Sequence, residues 1–314
     1  MTTTVPTRLR GVIPPVVTPL TPSLEVDVAS LQRLVGFLLA GGVDGLFVLG
    51  STSEAAFLPE RHRQTVIDVV SQTVGGQVPI LAGGIDMTTM RVIDQAERAA
   101  KAGCAGLVAT APFYARTHPA EIARHYRMLA ERSDIPVYAY DVPVSVHSRL
   151  ERGLILELAA EGVLAGLKDS SGDFDGLRQL LAARRRLDPP VDTFSVFTGS
   201  EVTVDFAMRA GADGAVAGLA NVDPVGYSRL YRLCATGEWA AAAVEQERLI
   251  GLFAIVGVGD PSRMGQSSSA IGAFKAALHL KGVIDCPVTA PPQIPLDAHE
   301  VAAVKSIIER SDAA

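Results

Sequence analysis

The stretch Val163-Leu164-Ala165-Gly166-Leu167-Lys168-Asp169-Ser170-Ser171-Gly172-Asp173, running on into Phe174 to Arg186, decides the fold. It reads as a short apolar strand, Leu164 to Ser171, then small polar residues and a glycine, then a helix. Alternate side chains of a strand share a face. Leu164, Gly166, Lys168 and Ser170 therefore point one way, and Ala165, Leu167 and Asp169 the other. A lysine ending an apolar strand is unusual, because lysine is almost never fully buried without a partner. Desolvation lowers a lysine's pKa and frees the amine to attack a carbonyl. The plainer reading is a strand-end lysine that snorkels into water.

The same strand-then-helix unit recurs on both sides. Working outward, strands are expected over Val12 to Leu20, Gly45 to Gly50, Pro79 to Gly84, Gly106 to Pro112, Pro136 to Pro143, Leu164 to Ser171, Phe194 to Gly199 and Gly214 to Asn221. Helices follow them over Val28 to Leu39, Pro59 to Gln72, Thr88 to Ala102, Pro119 to Ser133, Arg149 to Glu161, Phe174 to Arg186, Glu201 to Ala210 and Pro224 to Ala235. Alternating strands and helices imply a parallel sheet, and eight units count out an α/β fold of the (β/α)8 TIM-barrel type. Residues 1–235 form that catalytic barrel in this reading. Residues 236–314 form a C-terminal three-helix extension: Trp239 to Val256, Ser267 to Lys281 and Asp297 to Arg310. A doubly wound open sheet is the competing fold, but no GxGxxG follows the first strand.

Composition narrows the partners. The 314 residues are 48% hydrophobic and 20% charged, which suits a large globular core. A formal net charge of −6 without a basic cluster argues against nucleic acid. Cys104, Cys234 and Cys286 lie far apart, so neither a disulfide framework nor a zinc site is expected, and a reducing cytoplasm fits. Met1 to Arg10 lacks the apolar segment of a signal peptide, and no apolar run reaches the ~18 residues of a membrane span.

In such barrels the chemistry sits where strands end. Those ends carry Gly50-Ser51-Thr52-Ser53-Glu54, Pro112-Phe113-Tyr114, Tyr138-Ala139-Tyr140-Asp141-Val142-Pro143, Lys168, Gly199-Ser200-Glu201 and Gly218-Leu219-Ala220-Asn221. Hydroxyls, a phenol and an amine on one rim can move protons around an imine without a metal or other cofactor. No metal-ligand spacing appears at these ends. Each residue also has a plainer role. Ser51 and Thr52 could cap the following helix, Glu54 could be a first-turn acid favoured by the helix dipole, Tyr140 could be a satisfied interior aromatic, and Tyr114 could be surface. The six histidines read as solvated or packed, with His147, just after the fifth strand, the one to watch.

Gly50-Ser51-Thr52-Ser53-Glu54, Tyr140-Asp141-Val142-Pro143 and Gly166-Leu167-Lys168-Asp169 resemble, in order, the G-[ST]-T-G-E, Y-N-V-P and G-x-K segments of the dihydrodipicolinate synthase / N-acetylneuraminate lyase family of Schiff-base aldolases. The resemblance runs from about Gly11 to about Ile308. It implies that Lys168 condenses with the keto group of pyruvate or a similar 2-oxo acid, and that Tyr140 shuttles protons. It implies that Ser51 and Thr52 hold the substrate carboxylate, and that Ser51 links Tyr140 to Tyr114 from a neighbouring subunit. Val216 would lend its backbone carbonyl near the imine carbon. A homotetramer built as a dimer of dimers, and an aldehyde as second substrate, are implied with it.

Two departures bear on the reaction. Ser53 replaces a glycine; if that position needs φ > 0 the serine is strained, and if not its hydroxyl adds a donor. Ser145 stands five residues after Tyr140, where dihydrodipicolinate synthases carry an arginine for the semialdehyde carboxylate, and serine makes no bidentate contact. Arg149, four residues on, reads as a surface residue. The leading expectation is a lyase cleaving or dehydrating a 2-keto-3-deoxy sugar acid or a 4-hydroxy-2-oxo acid. The alternatives are 4-hydroxy-tetrahydrodipicolinate (dihydrodipicolinate) synthase, and a non-catalytic 2-oxo acid-binding homologue.

Overall fold

A computed structural model describes residues 8–187, 191 and 193–312. The reading of Met1 to Arg10 as free of a leader falls mostly outside them. Eight parallel strands run β1 (Gly11–Val12), β2 (Leu46–Val48), β3 (Ile80–Gly84), β4 (Gly106–Thr110), β5 (Val137–Asp141), β6 (Gly166–Asp169), β7 (Ser195–Thr198) and β8 (Gly214–Ala215). Their order around the sheet is β1-β8-β7-β6-β5-β4-β3-β2, and a parallel bridge between Pro15 and Phe47 joins the first and last into a ring. Around the ring lie α1 (Val28–Ala40), α2 (Glu60–Val74), α3 (Thr89–Lys101), α4 (Pro119–Arg132), α5 (Pro143–Val146), α6 (Arg152–Ala160), α7 (Phe174–Arg184), α8 (Val204–Ala210) and α9 (Pro224–Thr236). Three more follow: α10 (Trp239–Phe253), α11 (Gln266–Leu280) and α12 (Ala298–Asp312). The (β/α)8 barrel with C-terminal helices is the architecture observed.

The helices form where apolar spacing and caps agree. In α1, Leu31, Leu34, Leu38 and Val35 recur on one buried face, and Asp27 caps the start through the Ser30 amide at 3.0 Å. Asp223 does the same for α9 through Gly226, with Pro224 in the first turn.

Inside the ring the side chains belong to one cluster that includes Phe47, Tyr138, Tyr140, Phe197 and Val216. Tyr138 sets its floor. A Cβ on Gly106 would stand 2.7 Å from the Tyr138 ring and one on Gly166 2.5 Å, so the flanking strands give up their side chains to admit it.

Several boundaries differ from the expectation. The strand at Leu164 begins two residues later, at Gly166, so Leu164 lies with Leu167 in the outer core instead of sharing the face of Lys168. The first strand keeps only Gly11–Val12, because Pro14 and Pro15 lack the amides a ladder needs. The eighth stops at Ala215 and turns into a 3-10 helix, Gly218–Asn221. A one-turn helix, α5, fills what read as loop after Pro143.

Candidate active site

Lys168 sits on β6 one residue before its end, with its side chain inside the ring and 6% exposed. The snorkelling alternative fails on that number. Its ε-amine lies 4.0 Å from the centroid of the Tyr140 ring and 4.9 Å from that of Phe47. Two aromatic faces thus take the place of solvent around the nitrogen. Tyr140, on β5, is 4% exposed, and its hydroxyl stands 3.5 Å from the Ser51 Oγ. Burial pushes the Tyr140 phenol up. The charge of Lys168, with hydrogen bonding to Ser51, Lys168 and Ser170, more than reverses this and leaves the phenol below the ordinary tyrosine range. A phenol made more acidic beside an amine suits it to pass a proton in either direction.

Ser51 and Thr52 stand in a turn after β2 and do not cap a helix, because α2 starts only at Glu60 with Pro59 before it. The turn is staked from two sides. Ser53 is fully buried; its hydroxyl donates to the Val16 carbonyl at 2.5 Å and accepts from the Gly50 amide at 3.3 Å, while its own carbonyl accepts from Thr18 Oγ1 at 2.8 Å. Positive φ falls on Leu49 (57°) and Glu54 (63°), not on Ser53, so the serine is an added donor and carries no left-handed strain. The expectation that Glu54 is a first-turn acid is overturned. Glu54 is 0% exposed, forms an ion pair with the equally buried Lys275 of α11, and accepts from the Ala290 amide at 2.6 Å. Two desolvated charges survive there because each meets the other and a backbone partner, Lys275 donating to the Val288 carbonyl at 2.9 Å.

Val216, 3% exposed, joins the interior cluster with Tyr140 and Phe47. Tyr114 does not join the group within this chain: it is 92% exposed with φ 77°. His147 is exposed and ends α5 in the left-handed region. Ser145 is an exposed residue of α5, and Arg149 pairs with Asp173 at 3.1 Å.

A cleft of about 570 Å³ opens between the loops after β6 and β7, bordered by Asp169 and Ser170, the residues that follow Lys168, and not by Lys168 itself. Its walls include Ser170, Asp173, Ser200, Glu201, Thr203 and Gln266, and none of its lining residues, among the described residues, is Lys or Arg. Two carboxyl features of this rim escaped the sequence reading. Burial raises the Glu201 carboxyl to about 7, against the pull of the Gly218 and Leu219 amides, Tyr227 and Lys168. On the outer face of β5 and β6, burial raises Asp141 to about 6, with neighbouring Asp169 adding to it. Neither bears a local sequence signal; the only cue for Glu201 was its place at a strand end.

The sequence profile of the Dihydrodipicolinate synthetase family matches residues 8–311. The chain belongs to that family. It is thus an enzyme, a lyase of the dihydrodipicolinate synthase type. Among its relatives, 4-hydroxy-tetrahydrodipicolinate synthase from Methanothermobacter thermautotrophicus is 30% identical over 249 residues, covering 79% of this chain and 87% of that protein. An uncharacterized DapA-like lyase of Halobacterium salinarum is 32% identical, covering 91% and 89%. Among solved structures, the family member YagE from E. coli K12, in complex with pyruvate, superimposes with a TM-score of 0.89 at 26% identity over 98% of this chain and 99% of that one. No helix among the described residues is long and apolar enough to cross a membrane.

Proposed function

We propose that this family member is a Schiff-base lyase that binds a pyruvate-type 2-oxo acid on Lys168 and cleaves or dehydrates a 2-keto-3-deoxy sugar acid or 4-hydroxy-2-oxo acid. The observation that carries the reading is the buried Lys168 amine against Tyr140, whose hydroxyl faces Ser51. The amine adds to the C2 ketone, and loss of water, with Tyr140 supplying and taking protons, leaves the imine. For cleavage, Tyr140 as phenolate takes the proton of the C4 hydroxyl. The C3–C4 bond breaks, an aldehyde leaves, and the electron pair runs to the imine nitrogen to give the enamine. Protonation at C3 and hydrolysis release pyruvate. For dehydration, C3 loses the proton and the C4 hydroxyl leaves as water. Ser51 and Thr52 hold the substrate carboxylate in this scheme, and the Val216 carbonyl faces the imine carbon.

The substrate class rests on the cleft. Beside the apolar Phe174, Leu177, Val202 and Phe253, its polar groups are hydroxyls, carboxyls and an amide, with no cation among the described lining residues to meet a second carboxylate, and they suit the hydroxyls of a sugar-acid chain better. Ser145 replaces the arginine that would bind a semialdehyde carboxylate, and Arg149 is engaged by Asp173. The second reading, 4-hydroxy-tetrahydrodipicolinate synthase, is favoured by the names of the relatives. The division into barrel (1–235) and extension (236–314), and a homotetramer in which Tyr114 reaches a neighbour's Ser51, belong to the same proposal. The exposure and positive φ of Tyr114 support the latter. Borohydride added with pyruvate should fix a three-carbon adduct on Lys168, read by peptide mass. Folded protein with no adduct would end the proposal, and fast turnover of pyruvate with aspartate semialdehyde would favour the second reading.

A further inference from the structure

Glu201 stands at the exit of β7 and lines the cleft, yet its carboxylate is turned onto the 3-10 turn that follows β8. Its Oε1 accepts from the Gly218 amide at 2.7 Å and its Oε2 from the Leu219 amide at 3.4 Å. The Tyr227 hydroxyl, on α9, lies 3.2 Å from Oε2 and 3.2 Å from the Glu201 backbone carbonyl, which also accepts from Gln246 Nε2 at 3.0 Å. The turn is pressed onto the carboxylate: a Cβ on Gly218 would stand 3.2 Å from Oε1 and 2.9 Å from the Phe274 ring. Gly218 comes two residues after Val216, which shares the barrel interior with Tyr140.

We propose that Glu201 is a positioning residue for the imine chemistry: it pins the turn after β8 and thereby sets the Val216 carbonyl against the carbon bonded to Lys168. This rests on the Schiff-base reading above. Ionised, the carboxylate only accepts, as two amides and a phenol require. A proton on either oxygen removes an acceptor and loosens the turn. Burial holds that titration at about 7, and the ionisable groups facing it are Lys168 from β6 and Tyr227 from α9. The turn is therefore fully pinned only on the alkaline side of that value.

The test is the rate at which pyruvate and borohydride trap Lys168 in the full-length protein, for wild type, Glu201→Gln and Glu201→Ala, across about pH 5.5 to 9. The wild-type rate should fall on the acid side of a limb near pH 7. Glu201→Gln should lose that limb and be about 10-fold slower at alkaline pH, the worth of one charge-assisted hydrogen bond. The maximal trapping rate should fall by more than the pyruvate concentration for half-maximal trapping changes, since the Glu201 carboxylate bonds the Gly218 and Leu219 amides and not the carboxylate of pyruvate. Glu201→Ala should be slower still; if it does not fold, the pH profile of Glu201→Gln decides alone. Wild-type rates with the limb intact in Glu201→Gln would overturn the inference by itself. No adduct on the wild-type chain would overturn the Schiff-base reading and this inference with it.

Discussion

Tyr140 and Lys168 are direct partners on one rung of the ladder between β5 and β6. Side chains on neighbouring parallel strands at the same height point to the same face, so the pairing brings phenol and amine together with no help from a loop. Two rungs below, on the same face, Tyr138 pairs with Gly166, and the tyrosine ring fills the space the glycine leaves.

Lys168→Ala should abolish both the borohydride adduct and turnover while leaving the melting temperature nearly unchanged. The substitution removes a desolvated amine whose burial itself costs free energy, so little packing is lost. Intact mass and thermal melts check both halves. A variant that unfolds would make Lys168 a structural residue.

Tyr140→Phe keeps the ring under the amine and removes only the hydroxyl. Imine formation should slow by about 10²–10⁴, the usual worth of a general acid–base group. Stopped trapping with borohydride measures the step directly, and an unchanged rate removes Tyr140 from the mechanism.

Gly166→Ala tests the floor of the site. The new Cβ would stand 2.5 Å from the Tyr138 ring and 2.7 Å from the Ser195 carbonyl. Overpacking of this kind costs about 1–3 kcal/mol, to be read as a lower urea midpoint at unchanged slope.

Lys275→Met strands the Glu54 carboxylate in a fully buried place. Removal of one partner of a buried pair costs about 3–5 kcal/mol, whereas replacing both is far milder. The Glu54→Gln/Lys275→Met double variant should therefore be more stable than Lys275→Met alone. Denaturant curves on the singles and the double give the coupling, and additive losses would mean that the pair contributes nothing jointly.

Asp141 gives a stability signature in pH. Its folded-state value, about 6, lies above the ordinary carboxylate value, so the folded chain holds the proton more tightly than the unfolded one. The stabilisation is complete below the unfolded value and is lost as the pH rises through about 6. Asp141→Asn keeps an acceptor for the Leu150 amide and has nothing to ionise. It should gain stability over wild type as the pH rises from about 4 to about 7, across the ordinary value of 3.8 and the folded value of about 6, measured as the difference in urea midpoints; a constant difference would contradict the burial argument.

The barrel, Lys168 and Tyr140 could be read from the chain because each is signalled locally. Eight strand-then-helix periods need no long-range information, and a polar residue in an apolar strand announces itself within five positions. The roles of Ser53, Glu54 and Glu201 could not be read that way. At the turn after β2, the left-handed residue proved to be Glu54, one place beyond the serine that invites suspicion, because Ser53 is held by Val16 and Thr18 from the first strand region. Glu54 is bonded to Ala290, 236 positions away, and Glu201 to the turn of the next strand. Local pattern thus determined the eight strand-then-helix units and the facing of Tyr140 and Lys168 toward the barrel axis, but not the one-turn α5, the 3-10 helix after β8 or the outer place of Leu164. Tertiary structure alone decided which carboxylates are buried, what neutralises or holds them, and where the site is braced, since desolvation and ion pairing depend on distances in space that sequence spacing does not encode.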